Sequence, residues 1–169
     1  MRCQQGRPAG QPSKLLVDAR HGPERRRLHW LGRRRRCAAL ALPGLGLFKH
    51  ESASVDPLTH QVYLTEDEVD GCLYRFTPDQ VTMGAKTDLR QGRLQVASIN
   101  AGQIIWLDQP DPAGGETPLR HQLGASAKFR GGEGIDIHER LLRFTSKRDN
   151  RVWQIALQDD QIVELYNLS

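Results

Sequence analysis

The sequence is short of the features that would place it in several large classes. No apolar run approaches the ~20 residues needed to cross a bilayer as a helix, so no spanning helix is expected. Cysteine is scarce: Cys3, Cys37 and Cys72 form no C-x-x-C pair, which excludes a zinc framework. Their odd number also argues against a fully paired disulfide scaffold. Acidic charge is nearly missing from the first third. Residues 1–50 hold 12 basic and two acidic side chains, whereas residues 51–169 hold 12 basic and 18 acidic. The net charge of +4 therefore describes a basic tail on a mildly acidic body. Aromatics are absent from the arginine clusters except for Trp30. Clustered arginines bind phosphate strongly, but without stacking platforms no nucleic-acid partner is expected.

What remains in residues 1–45 is Arg25–Arg27 and Arg33–Arg36 among Gly, Pro and Gln, with few apolar side chains and no sustained period. Such a stretch buries too little surface to offset chain entropy, so a disordered or locally helical segment is expected. Arg33–Arg36 precede a short apolar stretch, Cys37–Leu45, in the manner of a twin-arginine export leader. A mis-called start or a damaged reading frame is the alternative for this segment. The domain boundary is accordingly drawn between residues 45 and 46.

The body, 46–169, is organised around an acidic turn. Val62–Leu64 and Cys72–Phe76 flank Glu66, Asp67, Glu68 and Asp70. The second run alternates and is aromatic-rich, as in a half-buried strand. Asp70-Gly71 marks a tight hairpin. Four like charges at one strand end repel unless water or a cation screens them. Two readings stand: a solvated acidic tip, or a hard-cation site with oxygen ligands.

Further strands are expected at Leu94–Ala97 and Gln103–Leu107, with Asn100-Ala101-Gly102 between them, then at Leu141–Thr145, Val152–Leu157 and Ile162–Tyr166. Pro118–Gln122 suits one helical turn. The Tyr63–Phe76 hairpin is echoed by Arg143–Ile155 at an offset of about 80 residues, near twice the ~40–45 residue period of a propeller blade. The Leu94–Leu107 pair should lie between them. The fold class expected is all-β, an incomplete β-propeller with two to three blades' worth of antiparallel strands. Open sheet edges in such a structure would invite self-association.

His50-Glu51, Asp56-Pro57, Tyr63-Leu64-Thr65-Glu66-Asp67 and Asp70-Gly71-x-Leu73-Tyr74-Arg75-Phe76 together closely resemble the PhoX-type alkaline phosphatase family. Trp106-Leu107-Asp108, Pro110-Asp111-Pro112, Gly124-Ala125, Phe129, Glu133-Gly134 and Phe144-Thr145 follow in that family's order, so the resemblance spans roughly 46–166. It implies an exported bacterial β-propeller enzyme that hydrolyses phosphate esters with calcium and iron, in the periplasm or outside the cell. A chain lacking a working export signal would stay in the cytoplasm. The resemblance makes Glu51, Glu66, Asp67, Asp70 and Glu133 the metal-ligand candidates, with Cys3 as a thiolate candidate. Glu51, Glu133 and Arg130 become the catalytic candidates.

The chain departs from the family pattern in two places. Cys3-Gln4-Gln5 stands where the family has Cys-Glu-Glu, and amides cannot supply the charge a metal needs. Gly131 stands where an arginine is usual, with Arg130 one place off, so an arginine that would neutralise a phosphoryl group is lost or displaced. Two functions follow: a PhoX-like phosphatase domain on a partial chain, or a non-catalytic propeller fragment whose acidic turns bind calcium weakly or are merely solvated.

Overall fold

A computed structural model describes residues 40–81 and 87–168. Nine strands account for nearly half of them: β1 (His50–Val55), β2 (Val62–Glu66), β3 (Leu73–Pro78), β4 (Gly92–Asn100), β5 (Gln103–Asp108), β6 (Gly132–His138), β7 (Leu141–Ser146), β8 (Arg151–Ala156) and β9 (Gln161–Asn167). One turn of α-helix, α1 (Leu119–Gln122), lies where Pro118 suggested it, and Pro43–Leu45 form a short 3-10 turn. The strands form one antiparallel sheet in the order β1-β2-β3-β4-β5-β9-β8-β7-β6. The β4–β5 pair thus lies between the two echoing hairpins. The all-β expectation holds, and the arrangement is that of an incomplete propeller-like fold.

Two meanders make up the sheet. The first, β1–β5, is joined to the second, β6–β9, through the single register pair Gln103↔Gln161. At the opposite side β6 returns against β1 and β2, where the Thr65 hydroxyl donates to the Glu133 carbonyl at 2.7 Å. The sheet is therefore barrel-like and nearly closed. Its two end strands, β1 and β6, cover one another, and the β5–β9 seam, with one register pair, is the most sparsely paired join in the sheet.

Closure divides the interior into two cores. Val62, Leu64, Tyr74, Phe76, Leu94 and Val96 pack in one. Tyr63, Leu73, Phe129, Phe144 and Ile155 pack in the other. β2 and β3 form the wall between them, and all of Val62–Glu66 is buried. The half-buried strand expected at Cys72–Phe76 is thus corrected. Alternation assigns its side chains to two cores instead of to core and solvent. Ahead of β1, Leu45, 7% exposed, belongs to the first core and Leu42 packs against it. The leader-like arginines, Cys3 and Gln4-Gln5 lie outside the described residues.

Turn chemistry explains most of the connections. Ala101 and Gly102 both have positive φ, the two-residue primed turn that matches strand twist. The acidic turn is longer than the Asp70-Gly71 hairpin expected. Asp67–Cys72 makes a wider loop, tied by the Gly131 N–H to the Glu68 carbonyl and the Phe129 N–H to the Gly71 carbonyl. A Cβ at Gly71 would lie 2.3 Å from the Glu66 carbonyl oxygen, so the loop closes only with glycine there. Gly71→Ala should cost about 1–3 kcal/mol of stability, read as a lowered midpoint in urea unfolding.

Candidate functional site

The candidate acids fall into two groups because consecutive residues of a strand point to opposite faces. Glu66, the last residue of β2, turns into the first core and is fully buried. Its Oε2 accepts from the Cys72 N–H at 3.1 Å and from the Tyr74 hydroxyl at 3.0 Å. Its Oε1 accepts from Arg120 Nη1 on α1 at 3.2 Å. Burial raises the Glu66 carboxyl above its usual range despite these donors. Burial also pushes the Tyr74 hydroxyl and the Cys72 thiol up. Arg120 Nε donates to Asp70 Oδ1 at 2.9 Å, and His121 Nε2 lies 2.6 Å from Asp70 Oδ2. The His121 hydrogen bond holds the Asp70 carboxyl low.

Asp67, one residue further on, points the other way. Lys49 Nζ donates to its Oδ2 at 2.9 Å, and Lys147 Nζ stands 2.8 Å from its Oδ1. The same Lys147 ammonium is 2.5 Å from Glu133 Oε1. Burial would raise the Asp67 carboxyl, but the Lys147 and Lys49 ammonium groups beside it hold it below its ordinary value. The Asp67 and Glu133 carboxylates raise the Lys147 ammonium in turn. The ends of β2, β6 and β7 thereby meet over two carboxylates and two ammonium groups.

The remaining candidates stand apart. Glu51 is exposed on β1 and has no ion pair among the described residues. Arg130 turns away from Glu133, and its Nε donates to the Val69 carbonyl at 3.4 Å. Gly131 has φ of +66°, and a Cβ there would lie 2.9 Å from Arg148 Cγ and 3.0 Å from Lys147 Cγ. Position 131 therefore has neither the backbone nor the room for an arginine. His50, beside Glu51, donates from Nε2 to the Gly46 carbonyl and stacks on Phe48.

The donors are hard oxygens of the kind calcium takes. Their arrangement is another matter. Asp67 and Glu133 share Lys147, Glu66 and Asp70 share Arg120, and the two sets lie on opposite faces of β2. Among the described residues no group of three or more His, Cys, Asp or Glu side chains stands close enough to hold a metal ion. As arranged here, the carboxylates do not fit one shared divalent cation.

The family model for alkaline phosphatase PhoX matches residues 33–154. The chain belongs to the PhoX alkaline phosphatase family. Among solved structures, this PhoX-family chain is similar to Pseudomonas fluorescens PhoX in complex with vanadate, a transition state analogue. The identity is 21%, over 67% of this chain and 24% of that one, with a TM-score of 0.43. The chain thus spans about a quarter of the length of that PhoX structure. No curated protein matches the chain.

The sequence singles out these acids but not their counter-ions Arg120, Lys147 and Lys49. None lies in an acidic motif, and the one available signal was charge balance: a buried run of carboxylates requires cations from somewhere.

Proposed function

We propose that this chain is a portion of a PhoX-type phosphoric ester hydrolase, acting on small phosphate esters in the periplasm or outside the cell. Family membership over residues 33–154 is the observation that carries the reading. The site proposed is the end of the barrel where Asp67, Glu133, Lys49 and Lys147 converge, while the catalytic candidates Arg130 and Glu51 stand outside this cluster. Ammonium groups there would bind phosphoryl oxygens and offset the charge that repels a nucleophile. The Glu133 carboxylate, 31% exposed and ion-paired with Lys147, is the base candidate at this end. No step is assigned to calcium or iron, since the described carboxylates already have protein cations.

One observation favours a second reading, a non-catalytic propeller module. Glu66, Asp67, Asp70 and Glu133 each have a Lys or Arg nitrogen within 3.2 Å, which is how structural acids are satisfied. Hydrolysis of p-nitrophenyl phosphate by the full chain, measured in calcium and in EGTA, separates the two. The phosphatase reading expects turnover above a chain-free blank in at least one medium. Absence of turnover in both media would leave the module reading.

A further inference from the structure

The Asp67–Glu133 pair is closed electrically from within the chain. Asp67 Oδ1 is buried and makes no aligned hydrogen bond, so the Lys147 ammonium at 2.8 Å meets it by charge. Lys147 is itself pinned: its backbone N–H donates to the Gly131 carbonyl at 2.9 Å, on the segment that carries Glu133. Lys49, just ahead of β1, takes the other Asp67 oxygen at 2.9 Å. Two carboxylates and two ammonium groups sum to zero. A divalent ion placed there would supply the same two charges, but it would have to displace both lysines or meet their repulsion. An ammonium satisfies carboxylates by its charge at contact distance. It cannot bring the six to eight oxygens that calcium requires.

We propose that Lys147, assisted by Lys49, is the resident cation of the Asp67–Glu133 pair, and that a hard divalent cation binds there only when the Lys147 ammonium is removed. This concerns the pair alone and does not rest on ester hydrolysis, so its test and the turnover assay fail independently. The structural consequence is a barrel end that assembles without metal, held by a side chain from the β7–β8 turn bridging β2 and β6. Loss of that bridge leaves two carboxylates facing one another across the same gap, with only Lys49 to screen them. Their repulsion should open the barrel at this end unless another cation enters.

The test uses the full chain, with calcium chloride as the probe. Thermal melts in EGTA and in millimolar calcium, together with calorimetric titration of calcium, are recorded for the parent chain and for Lys147→Met and the milder Lys147→Gln. The parent should melt at one temperature in both media and show no calorimetric binding. Each variant should melt several degrees lower in EGTA and recover most of that loss in calcium. Its calcium binding should be detected where the parent's is not, at least about tenfold tighter than the weakest affinity the titration resolves. Adding Glu133→Gln to Lys147→Met should abolish the calcium response. A parent chain that melts higher in calcium and binds it at this end, lost on Glu133→Gln, would overturn the proposal. So would variants destabilised equally in both media, or unfolded in both, because the lysine would then be packing and not a replaceable charge.

Discussion

Replacing Arg140 by alanine is expected to cost the fold about 3–5 kcal/mol, a large part of the ~5–15 kcal/mol that holds a domain of this kind together. Asp56, fully buried, closes the β1–β2 connection by accepting from the Leu58 N–H at 3.1 Å and the Thr59 hydroxyl at 2.6 Å. Arg140, on the β6–β7 turn, supplies its counter-charge through Nη1 and donates from Nη2 to the Leu157 carbonyl at 2.7 Å. One guanidinium thus fastens the second meander to the first. Its removal leaves a carboxylate in the interior with no cation beside it. Urea unfolding should show the loss directly, and the melting temperature should fall by roughly 10 °C or more. The parent chain also carries a pH signature. Burial alone would raise Asp56, but Thr59, the Leu58 N–H and Arg140 bring it below its ordinary value. A depressed carboxyl stabilises the fold above its unfolded value of about 4, and that contribution disappears as pH falls through the folded value. An Arg140→Ala chain as stable as its parent at neutral pH would show that the clasp carries no weight.

Arg120→Ala is the second large effect and has the opposite pH dependence. Glu66 is buried and its carboxyl is already raised by that burial. Without Arg120 it loses its cation, at a cost of about 3–5 kcal/mol near neutrality. The accompanying loss at Asp70 is minor, since that carboxylate is partly solvated. A carboxyl whose folded value lies above its unfolded one favours the protonated fold. Its contribution is full below the unfolded value, about 4.3, and is lost as pH rises through the folded one. The deficit of Arg120→Ala relative to the parent should therefore be smaller at about pH 5 than at about pH 8. Urea midpoints for both proteins at the two pH values measure this. Equal deficits would trace the effect to α1 packing and not to Glu66.

These two predictions also mark where the sequence was legible. Val62–Leu64, Leu73–Phe76, Gln103–Leu107 and Val152–Ile155 announce their strands through β-branched and aromatic residues between turn signals, and those strands are present. β6 was concealed because Gly132 and Gly134 interrupt its alternation, although Ile135 and Ile137 keep the period of two. Burial on both faces of β2 and β3 was not readable either. A strand that separates two cores has the same local pattern as one that separates core from water, and only closure of the sheet decides between them.

The acids of the candidate site were visible as a cluster, whereas their partners were not. Arg120 lies 54 residues from Glu66 and Arg140 lies 84 from Asp56. Those distances are bridged by strand order, which no local spacing encodes. His121 shows the same limit. It has no motif around it, yet it reaches Asp70 because α1 carries it there.

The seam between β5 and β9 has a consequence for how such a sheet can grow. After Gln103↔Gln161 the two strands form no further register pairs, and Ile105, Val163, Leu165 and Tyr166 are left exposed along or near the gap. Each flank is already anchored on its far side, β5 by β4 and β9 by β8. Strands added at this gap would have to part Ile104 from Ile162, which share the second core, so the ring can widen only if the newcomers bring apolar side chains to fill that space.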